Sequence, residues 1–357
     1  MHTCALPHNY YINKLKNFKS ITIKELAILA GVSHSTVSRA LNNHPAIARE
    51  TVERIQQLAH ELNYVPSHFA RSLKTNRSHM LGVIVHRIAD PFYSEVLGGI
   101  QNVAHQFQYG MFVSASENDM ERQAALIRGM FGRQADALII GDSFFTPAHL
   151  NELKIRVPTV FIHNRAGVLP HSIYHEDANA TRALTRHLID LGHSRIAFGG
   201  NQRGGLLHQQ RREGVVAELQ AAGLELPGEY DLLAPNGQMS SGALLAKQIL
   251  NLPERPTAII CFNDMQAIGV MQTLQQANVR IPEDFSIAGF DDIPLAEFLY
   301  PALTTYRQPI WELGQMAAKL ALHLLGENVN GTLPFEPVIT MRGQLIVRRS
   351  TAPPAVS

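Results

Sequence analysis

The chain has 357 residues, of which 45% are hydrophobic and 17% charged, and its formal net charge is +1. This length is too great for one ordinary core and predicts two or three folding units. No apolar run approaches the roughly 18 residues that cross a bilayer, and the N-terminal stretch lacks a signal peptide's order. The two cysteines, Cys4 and Cys261, have no metal-ligand spacing, which argues against a disulfide framework or a zinc site. We therefore expect a soluble, cytoplasmic protein without a membrane partner.

Positive charge is concentrated at the N-terminal end of the sequence. Residues 1–79 contain 10 Lys+Arg against 4 Asp+Glu, whereas the remaining residues contain 21 against 26. A basic segment attracts the phosphate backbone of nucleic acid, and the counterions that it displaces make such binding salt-dependent. Because a short basic segment can also be merely solvated, the charge needs support from a motif.

Residues 22–42, TIKELAILAGVSHSTVSRALN, have the pattern of a helix-turn-helix. Thr22 and Glu25 have the spacing of a capping box, so the first helix should begin there. Gly31 supplies the backbone freedom that a helix end needs, and Ser33 can cap the second helix. An ordinary helical hairpin would show much of the same pattern.

The second helix is predicted to expose small polar residues and one arginine. Such a face can enter the major groove of DNA and reach base edges. A third apolar-periodic run over 51–62 would close a three-helix core. The residues of this domain that we expect to contact DNA are Thr22, Ser33, His34, Ser35, Thr36, Ser38, Arg39 and Asn42.

The segment 64–76 reads YVPSHFARSLKTN and follows directly on these helices. With this segment and the helix-turn-helix, the chain resembles the LacI/GalR family of bacterial transcription regulators over nearly all of its length after residue 20. The resemblance implies a repressor that binds a palindromic DNA operator as a homodimer and is controlled by a small effector molecule. It does not decide whether the effector induces or corepresses, although sugar-responsive relatives favour induction.

The resemblance also implies a short hinge helix that folds on operator DNA, beside its twin from the second subunit, in the minor groove. Pro66 can occupy the first turn of this helix, which is too short to be stable alone in water. Leu73 matches the family position that wedges between base pairs and kinks the duplex. Arg71 and Lys74 are further expected DNA contacts, and they argue against the alternative that Leu73 is a buried core residue.

From residue 80 onward, short apolar runs alternate with helical stretches. This alternation predicts parallel sheets covered by helices on both faces. The apolar runs are 81–85, 110–116, 137–140, 158–162, 195–200, 257–262 and 285–290. The resemblance implies two α/β lobes like those of periplasmic sugar-binding proteins, with the chain crossing between them three times.

The predicted architecture is thus an all-α helix-turn-helix headpiece joined to a two-lobe, periplasmic-binding-protein-like α/β domain. We expect chain crossings near 162–164, 291–293 and 325–328. The predicted domains are an N-terminal extension (1–20), the helix-turn-helix domain (21–65), the hinge (66–79), the effector-binding and dimerisation domain (80–349, with an N-lobe of about 80–162 and 293–326 and a C-lobe of about 163–292 and 327–349) and a tail (350–357). The tail is short and rich in proline, so we expect no tetramerising helix there.

A small ligand is expected in the cleft between the lobes, outside the carboxyl ends of the strands. The resemblance assigns effector contacts there to Phe92, Tyr93, Asp177, Arg211, Asn263 and Asp291. Asp264 is interpreted as a helix cap, and Asp292 as structural support. The alternatives are a helix cap for Asp177 and a surface position for Arg211.

An arginine, two aspartates and an asparagine among aromatic faces suit a polyhydroxylated ligand. A sugar or sugar acid is therefore the preferred effector. Leu207 and Gly237 depart from residues common in sugar-responsive relatives, so a purine or another metabolite stays open. We expect no cofactor and no metal, because His163, His171 and His175 fit no common metal-site spacing.

An enzyme or receptor carrying a helical appendage is the alternative class. The sequence contains no nucleophile elbow, HExxH or P-loop motif, and the glycine-rich stretch 199–205 lacks the P-loop ending. The interpretation as a non-enzymatic regulator is preferred on that ground.

Overall fold

The computed structural model describes residues 21–64, 77–167, 169–329 and 338–355. These residues belong to two compact units, the first ending at Ser78 and the second beginning at His79. The predicted hinge contacts Arg71, Leu73 and Lys74 lie outside the described residues, as does the extension 1–20. None of the described helices is long and apolar enough to cross a membrane.

The first unit contains three helices, α1 (Ile23–Ala30), α2 (His34–Leu41) and α3 (Arg49–Glu61). The α1 helix ends at Gly31, whose φ of 67° is in the left-handed region that glycine tolerates best. The core of this unit contains the buried residues Leu26, Ala27, Ala30, Val37, Ala40, Ile55 and Ala59, and the predicted third apolar run contributes the last two.

The N-lobe of the second unit is built on a six-stranded parallel sheet. Its strands are β1 (Met80–Val85), β2 (Gly110–Ala115), β3 (Ala137–Gly141), β4 (Thr159–Ile162), β5 (Ser172–His175) and β11 (Val338–Met341), in the spatial order β11-β5-β4-β3-β1-β2. Its helices are α4 (Pro91–Gln106), α5 (Met120–Gly132), α6 (Pro147–Leu153) and α11 (Ile310–Leu324).

The C-lobe repeats this design around a second six-stranded sheet. Its strands are β6 (Ile196–Asn201), β7 (Asp231–Ala234), β8 (Ala258–Cys261), β9 (Ser286–Asp291), β10 (Thr304–Arg307) and β12 (Gln344–Ile346), in the order β12-β10-β9-β8-β6-β7, with β12 antiparallel to β10. Its helices are α7 (Asp177–Asp190), α8 (Leu206–Ala221), α9 (Met239–Leu250), α10 (Asp264–Gln276) and a 3₁₀ turn (Pro294–Glu297).

Each sheet is buried on both faces. Val83 packs into one N-lobe core and its neighbour Ile84 into the other, because successive side chains of a strand point to opposite faces. Ile259 and Ile260 do the same in the C-lobe. This two-sided burial explains why the central strands read as continuous apolar runs.

The chain crosses between the lobes three times, but each crossing comes one strand later than the sequence predicts. The crossings follow β5, β10 and β11 instead of lying near 162–164, 291–293 and 325–328. These three strands contain serine, threonine, histidine or arginine and have no long apolar run. The predicted lobe boundaries are therefore wrong by one strand in each case.

The predicted tail also begins too early. Ser350 is fully buried in the C-lobe. Its hydroxyl donates to the Ile287 carbonyl at 2.6 Å and accepts from the Thr304 amide at 2.8 Å. The Ile287 amide in turn donates to the Ser350 carbonyl at 2.8 Å. Residue 350 is thus part of the lobe, because one serine satisfies three backbone groups near β9 and β10.

Candidate functional sites

The start of α2 is fixed by a network of hydroxyl groups. Ser33 is the N-cap, and its Oγ accepts from the Thr36 amide at 3.1 Å. The Ser33 hydroxyl also bonds the hydroxyls of Ser35 and Thr36, each at 2.8 Å. Thr22 and Glu25 form the predicted capping box at the start of α1. These contacts orient α2 without using any residue of its exposed face beyond the first turn.

The side chains of α2 that the sequence assigns to DNA are accessible. His34, Ser35, Arg39 and Asn42 are exposed, and so are Thr22 and Ser33, while Thr36 and Ser38 are half-buried. Asn42 donates to the Ser38 carbonyl at 2.7 Å. Within residues 21–64, Arg49 and Glu53 on α3 form an ion pair, whereas Arg39 forms no ion pair. Arg39 is therefore available to a partner.

The three-helix part of the head, residues 21–64, has no net charge. Residues 21–64 contain four Lys+Arg and four Asp+Glu. The positive excess of the N-terminal region comes from 1–20 and 65–79, each of which contributes three basic residues and no acidic one. The general attraction to phosphate thus belongs to the segments that flank the helices.

A polar cleft in the second unit lies at the carboxyl ends of strands from both sheets. Many of its side chains belong to the residues that end a strand or follow directly on it. It is lined by His86, Asp90, Phe92, Tyr93, Asn118, Asp142, His163, Arg165, Asn201, Leu207, Arg211, Asn236, Gly237, Gln238, Phe262, Asn263, Asp291 and Gln308. Five of the six predicted effector contacts are in this set, and the sixth, Asp177, touches it through Arg211.

Arg211 on α8 is held from several directions. Its Nε donates to Asp177 Oδ1 at 2.6 Å, and another of its nitrogens donates to the Phe262 carbonyl. Its guanidinium carbon lies 4.5 Å from the ring centroid of Phe262 and 3.7 Å from that of Phe290. Both partners of the ion pair are almost fully buried, so Arg211 is not a surface residue. Asp177 is the first residue of α7 and makes no capping bond, which excludes its interpretation as an N-cap.

Asp291 ends β9 with a φ of 116° and is buried against the cleft. Gln308 donates to its Oδ1 at 2.5 Å. Burial raises the pKa of Asp291 well above its ordinary value, although Arg211 acts in the opposite direction. The next residue, Asp292, forms ion pairs of 2.6 Å with Arg307 and with Arg348. That pairing agrees with its predicted structural role.

The roles predicted for Asn263 and Asp264 are partly exchanged. Asn263 lines the cleft and is also the N-cap of α10, since its Oδ1 accepts from the Gln266 amide at 2.9 Å. Asp264 is not the cap. Its carboxylate accepts from the Ile293 amide at 2.9 Å and from the Thr305 hydroxyl at 2.6 Å. Burial raises the pKa of Asp264 to about 7.

The N-lobe wall of the cleft is aromatic, as predicted. Phe92 and Tyr93 lie in the first turn of α4, where Asp90 is the N-cap and Pro91 the first helical residue. Their rings meet edge to face with centroids 5.2 Å apart. Asp90 accepts from the Phe92 amide at 3.1 Å. Burial raises the pKa of Asp90, and Gln238 of the C-lobe acts in the opposite direction.

A second buried ion pair was not foreseen from the sequence. Arg165 follows β4 and donates to Asp142 Oδ2 at 2.6 Å; both side chains are 7% exposed. Arg165 also donates to the Arg203 carbonyl of the C-lobe at 2.5 Å, and its own carbonyl accepts from the Leu206 amide at 2.9 Å. Burial alone would raise the pKa of Asp142, but Arg165 more than offsets it and lowers that pKa.

Two histidines lie close together beneath this wall. The rings of His163 and His175 are 5.1 Å apart, and burial lowers the pKa of both. Both are therefore neutral at neutral pH. Among the described residues, no group of three or more His, Cys, Asp or Glu side chains could hold a metal ion.

Sequence reasoning missed Asp90, Asp142, Arg165, Asn201 and Gln308 as lining residues. Each of them ends a strand or lies within a few residues of a strand's end, so the first polar residues after every apolar run were the signal available. For Gln308 that signal was absent, because β10 is not an apolar run. Leu207 and Gly237, the two departures from sugar-responsive relatives, both line the cleft.

Comparison with known families matches both units. Residues 22–67 match the model of bacterial regulatory proteins of the lacI family, and residues 185–351 match a periplasmic binding protein-like domain. The ribose operon repressor of Escherichia coli (strain K12) is 32% identical over 335 residues, which cover 90% of this chain and 99% of that protein. The HTH-type transcriptional repressor PurR of Vibrio vulnificus is 32% identical over 331 residues, which cover 92% of this chain and 97% of that protein.

Solved structures show the same relationship. The lac repressor dimer bound to operator and the anti-inducer ONPF superimposes with a TM-score of 0.81 at 26% identity, covering 94% of this chain and 100% of that one. A LacI family regulator from Enterococcus faecium with bound ribose covers 77% of this chain and 99% of its own, with a TM-score of 0.67 and 27% identity. On these matches, the chain belongs to the lacI family of bacterial regulatory proteins.

Proposed function

We propose that this protein is a transcriptional repressor that reads a palindromic operator with α2 and binds a small polar effector in the cleft between its lobes. One observation supports this proposal most directly. The same chain combines an exposed, capped helix with a free arginine and a buried polar cleft formed at the strand ends of two lobes. Both features serve binding, so we infer a regulator rather than an enzyme.

On the DNA side, His34, Ser35, Ser38, Arg39 and Asn42 are proposed to reach base edges in the major groove, with Thr22, Ser33 and Thr36 at the helix ends near phosphates. The hinge residues Arg71, Leu73 and Lys74 are proposed to contact the minor groove. Such a protein acts where the chromosome is, so we place it in the cytoplasm.

On the effector side, the proposed ligand is a carbohydrate or sugar acid. Phe92 and Tyr93 offer aromatic faces for the apolar side of a sugar ring. Asn263 and Asp291 offer amide and carboxyl groups for vicinal hydroxyls. Arg211 and Asp177 support this wall, and no metal or organic cofactor is required. The free volume of the cleft is about 50 Å³, which is below the roughly 300–1,000 Å³ of most ligand sites, so a sugar would bind with the lobes further apart.

A purine is the second candidate effector. It is favoured by the PurR repressors, of which one is 32% identical to this chain. The candidates differ in the sign expected for regulation, since an inducer weakens operator binding and a corepressor strengthens it. An effector can shift the equilibrium between two lobe orientations only by its difference in affinity for them.

We further propose that the regulator works as a homodimer, because a palindromic operator presents two half-sites related by a twofold axis. Two exposed apolar surfaces of the second unit are suitable for a second copy. One contains Phe298 and Tyr300, which are 77% and 91% exposed. The other is the groove along the edge strand β2, between Met111 and Leu126.

The test uses the full-length protein. Operator sequences would be selected from a random DNA library, and the affinity for the selected site would be titrated with neutral sugars, sugar acids and purines. The proposal expects a palindromic site and one ligand class that changes the affinity by about tenfold or more, in the usual range of allosteric coupling. Selection of no palindromic site would contradict the DNA-binding half of the proposal. A ligand that binds without changing operator affinity would contradict the regulatory half.

A further inference from the structure

The cations that line the cleft are already neutralised by the protein. Arg165 is paired with Asp142 and Arg211 with Asp177, each through a hydrogen bond of 2.6 Å between nearly buried side chains. The remaining donors of both guanidinium groups are partly used as well, by the carbonyls of Arg203 and Phe262. Each pair is therefore neutral overall.

Two further carboxyl groups in the cleft have no cation of their own. Asp90 accepts a hydrogen bond from the Phe92 amide, and Asp291 accepts one from Gln308. Neither forms an ion pair with a described residue. The histidines that line the cleft, His86 and His163, are neutral because burial lowers the pKa of each. The residues that line the cleft therefore carry no unpaired positive charge. They include two carboxyl groups that form no ion pair.

Several buried acceptors of the cleft also lack a donor. Asn118 Oδ1 and Gln308 Oε1 are buried and have no hydrogen-bond partner among the described residues. A ligand rich in hydroxyl or N–H groups can satisfy them, whereas a carboxylate or phosphate oxygen cannot. The Tyr93 hydroxyl and Arg165 Nε are also buried without a partner, so the lining has unpaired donors as well as unpaired acceptors. Buried polar atoms that stay unpaired cost binding free energy, and a hydroxyl group can both donate and accept, so a hydroxyl-rich ligand satisfies both kinds.

We propose that Asp142 determines the charge class of the effector: by holding Arg165 it withholds the cation that an anionic ligand would need, so the cleft admits an uncharged, hydroxyl-rich ligand and rejects carboxylates and phosphates. This inference rests on the proposed function, because it concerns the ligand of the same cleft. It narrows the candidate effectors by removing sugar acids and sugar phosphates.

The geometry assigns this role to Asp142 rather than to Asp177. Arg211 is covered on its faces by Phe262 and Phe290, so freeing it from Asp177 would not expose its charge to a ligand. Arg165 has one ring contact, with Phe144 at 5.7 Å, and its Nε is buried without a partner. Removing the charge of Asp142 would leave Arg165 as a free cation in the cleft.

The experiment measures ligand binding to the full-length protein by calorimetry and thermal shift. The probes are matched sets with one carbon skeleton each: ribose, ribonate and ribose 5-phosphate; galactose, galacturonate and galactose 6-phosphate. The variants are Asp142→Asn and, as a control, Asp231→Asn, which breaks a 2.6 Å pair with Arg212 outside the cleft. A double variant, Asp142→Asn with Arg165→Gln, removes both charges and avoids leaving one buried charge unpaired.

The wild-type protein and Asp231→Asn are expected to bind only an uncharged member of a set. Asp142→Asn should weaken that binding by about tenfold or more and gain binding of a charged member, and the double variant should lose the gain.

Tighter binding of a charged sugar by the wild type, or an unchanged preference in Asp142→Asn, would overturn the inference and leave the regulator proposal intact. Binding of an uncharged sugar with no effect on operator affinity would instead support the inference and overturn the proposed function. If no probe binds to the wild type or to any variant, both the carbohydrate assignment and this inference are overturned.

Discussion

The guanidinium carbon of Arg211 lies 3.7 Å from the centre of the Phe290 ring. A second ring, Phe262, covers it at 4.5 Å, and Asp177 accepts from its Nε. The arginine is thus a packed component of the C-lobe and at the same time part of the lining of the polar cleft. Cation–π contacts of this kind are strongest when water is excluded.

Truncating Arg211 should therefore reduce stability as well as ligand binding. Arg211→Ala leaves Asp177 buried without its cation, which costs about 3–5 kcal/mol. The neighbouring Arg212 forms a half-exposed pair with Asp231, so Arg212→Ala should cost about 1 kcal/mol or less. Urea unfolding monitored by circular dichroism compares the two. Equal losses for both variants would show that the Arg211 cluster contributes no special stability.

The cap of α2 permits a separation of folding from DNA contact. Ser33→Ala removes the bond to the Thr36 amide and should destabilise the head by about 1 kcal/mol. Ser33→Asp keeps a cap but adds a negative charge where phosphate is expected, so stability should persist while operator affinity falls. Thermal melting and gel shifts on both variants provide the readouts. Normal operator affinity of Ser33→Asp would place this helix start away from the DNA.

Arg39 and Arg49 are both exposed arginines of the head, which makes them a matched pair. Arg39→Ala should weaken binding to the selected operator by about 1–3 kcal/mol, since a bidentate base contact is worth that much, and should change binding to random DNA far less. Arg49→Ala removes a pair with Glu53 and should leave the ratio of operator to random binding unchanged. Equal losses on both DNAs for Arg39→Ala would assign Arg39 to the backbone.

Asp264 should make stability depend on pH. Its folded-state pKa is about 7, above the ordinary 3.8, so the folded protein retains a proton that the unfolded chain releases between these values. The stabilisation from this group is complete at low pH and is lost as the pH rises through 7. The buried His163 and His175 act in the opposite direction, so the informative quantity is the difference between wild type and Asp264→Asn.

That difference in unfolding free energy should shift in favour of Asp264→Asn as the pH rises from about 5 to 8. Asp284→Asn is the control, because Arg280 lowers the pKa of this exposed carboxylate to about 2, well below the tested range. A constant difference for Asp264→Asn over the range would show that this carboxyl is already ionised at pH 5.

Gly205 of the C-lobe lies against Arg165. A Cβ at this position would lie 2.6 Å from the Arg165 carbonyl oxygen, whereas a Cβ at Gly223 would touch nothing within 4 Å. Both glycines have positive φ, at 54° and 73°, so alanine strains the backbone at both. Only Gly205→Ala should also separate the lobes and weaken effector binding. Calorimetry of both variants tests this, and equal affinities would mean that the loop moves aside freely.

The central parts of the fold could be predicted from the sequence because burial leaves a strong pattern. Strands such as β1, β3 and β8 are covered on both faces and appear as uninterrupted apolar runs. The strands β5, β10, β11 and β12 have four residues or fewer and each contains at least one polar residue, and the crossing points depend on these strands. Tertiary pairing, rather than local composition, makes them strands.

The residues of the cleft likewise divide into those that could be predicted from the sequence and those that could not. Phe92, Arg211, Asn263 and Asp291 could be placed by motif and by their position after a strand. The pairing of Arg165 with Asp142 could not, because it joins residues 23 positions apart through the order of strands in a sheet. The exchange between Asn263 and Asp264 has a similar cause. Either residue can cap a helix, and only Thr305 and Ile293, distant in sequence, draw the aspartate inward.

Ser350 connects the end of the chain to the middle of the C-lobe. During synthesis the three-helix head can fold early, since domains fold from the N-terminus as they emerge. The C-lobe sheet can be completed only after β12 and Ser350 have left the ribosome. A nascent copy therefore has a folded head before it has a complete C-lobe.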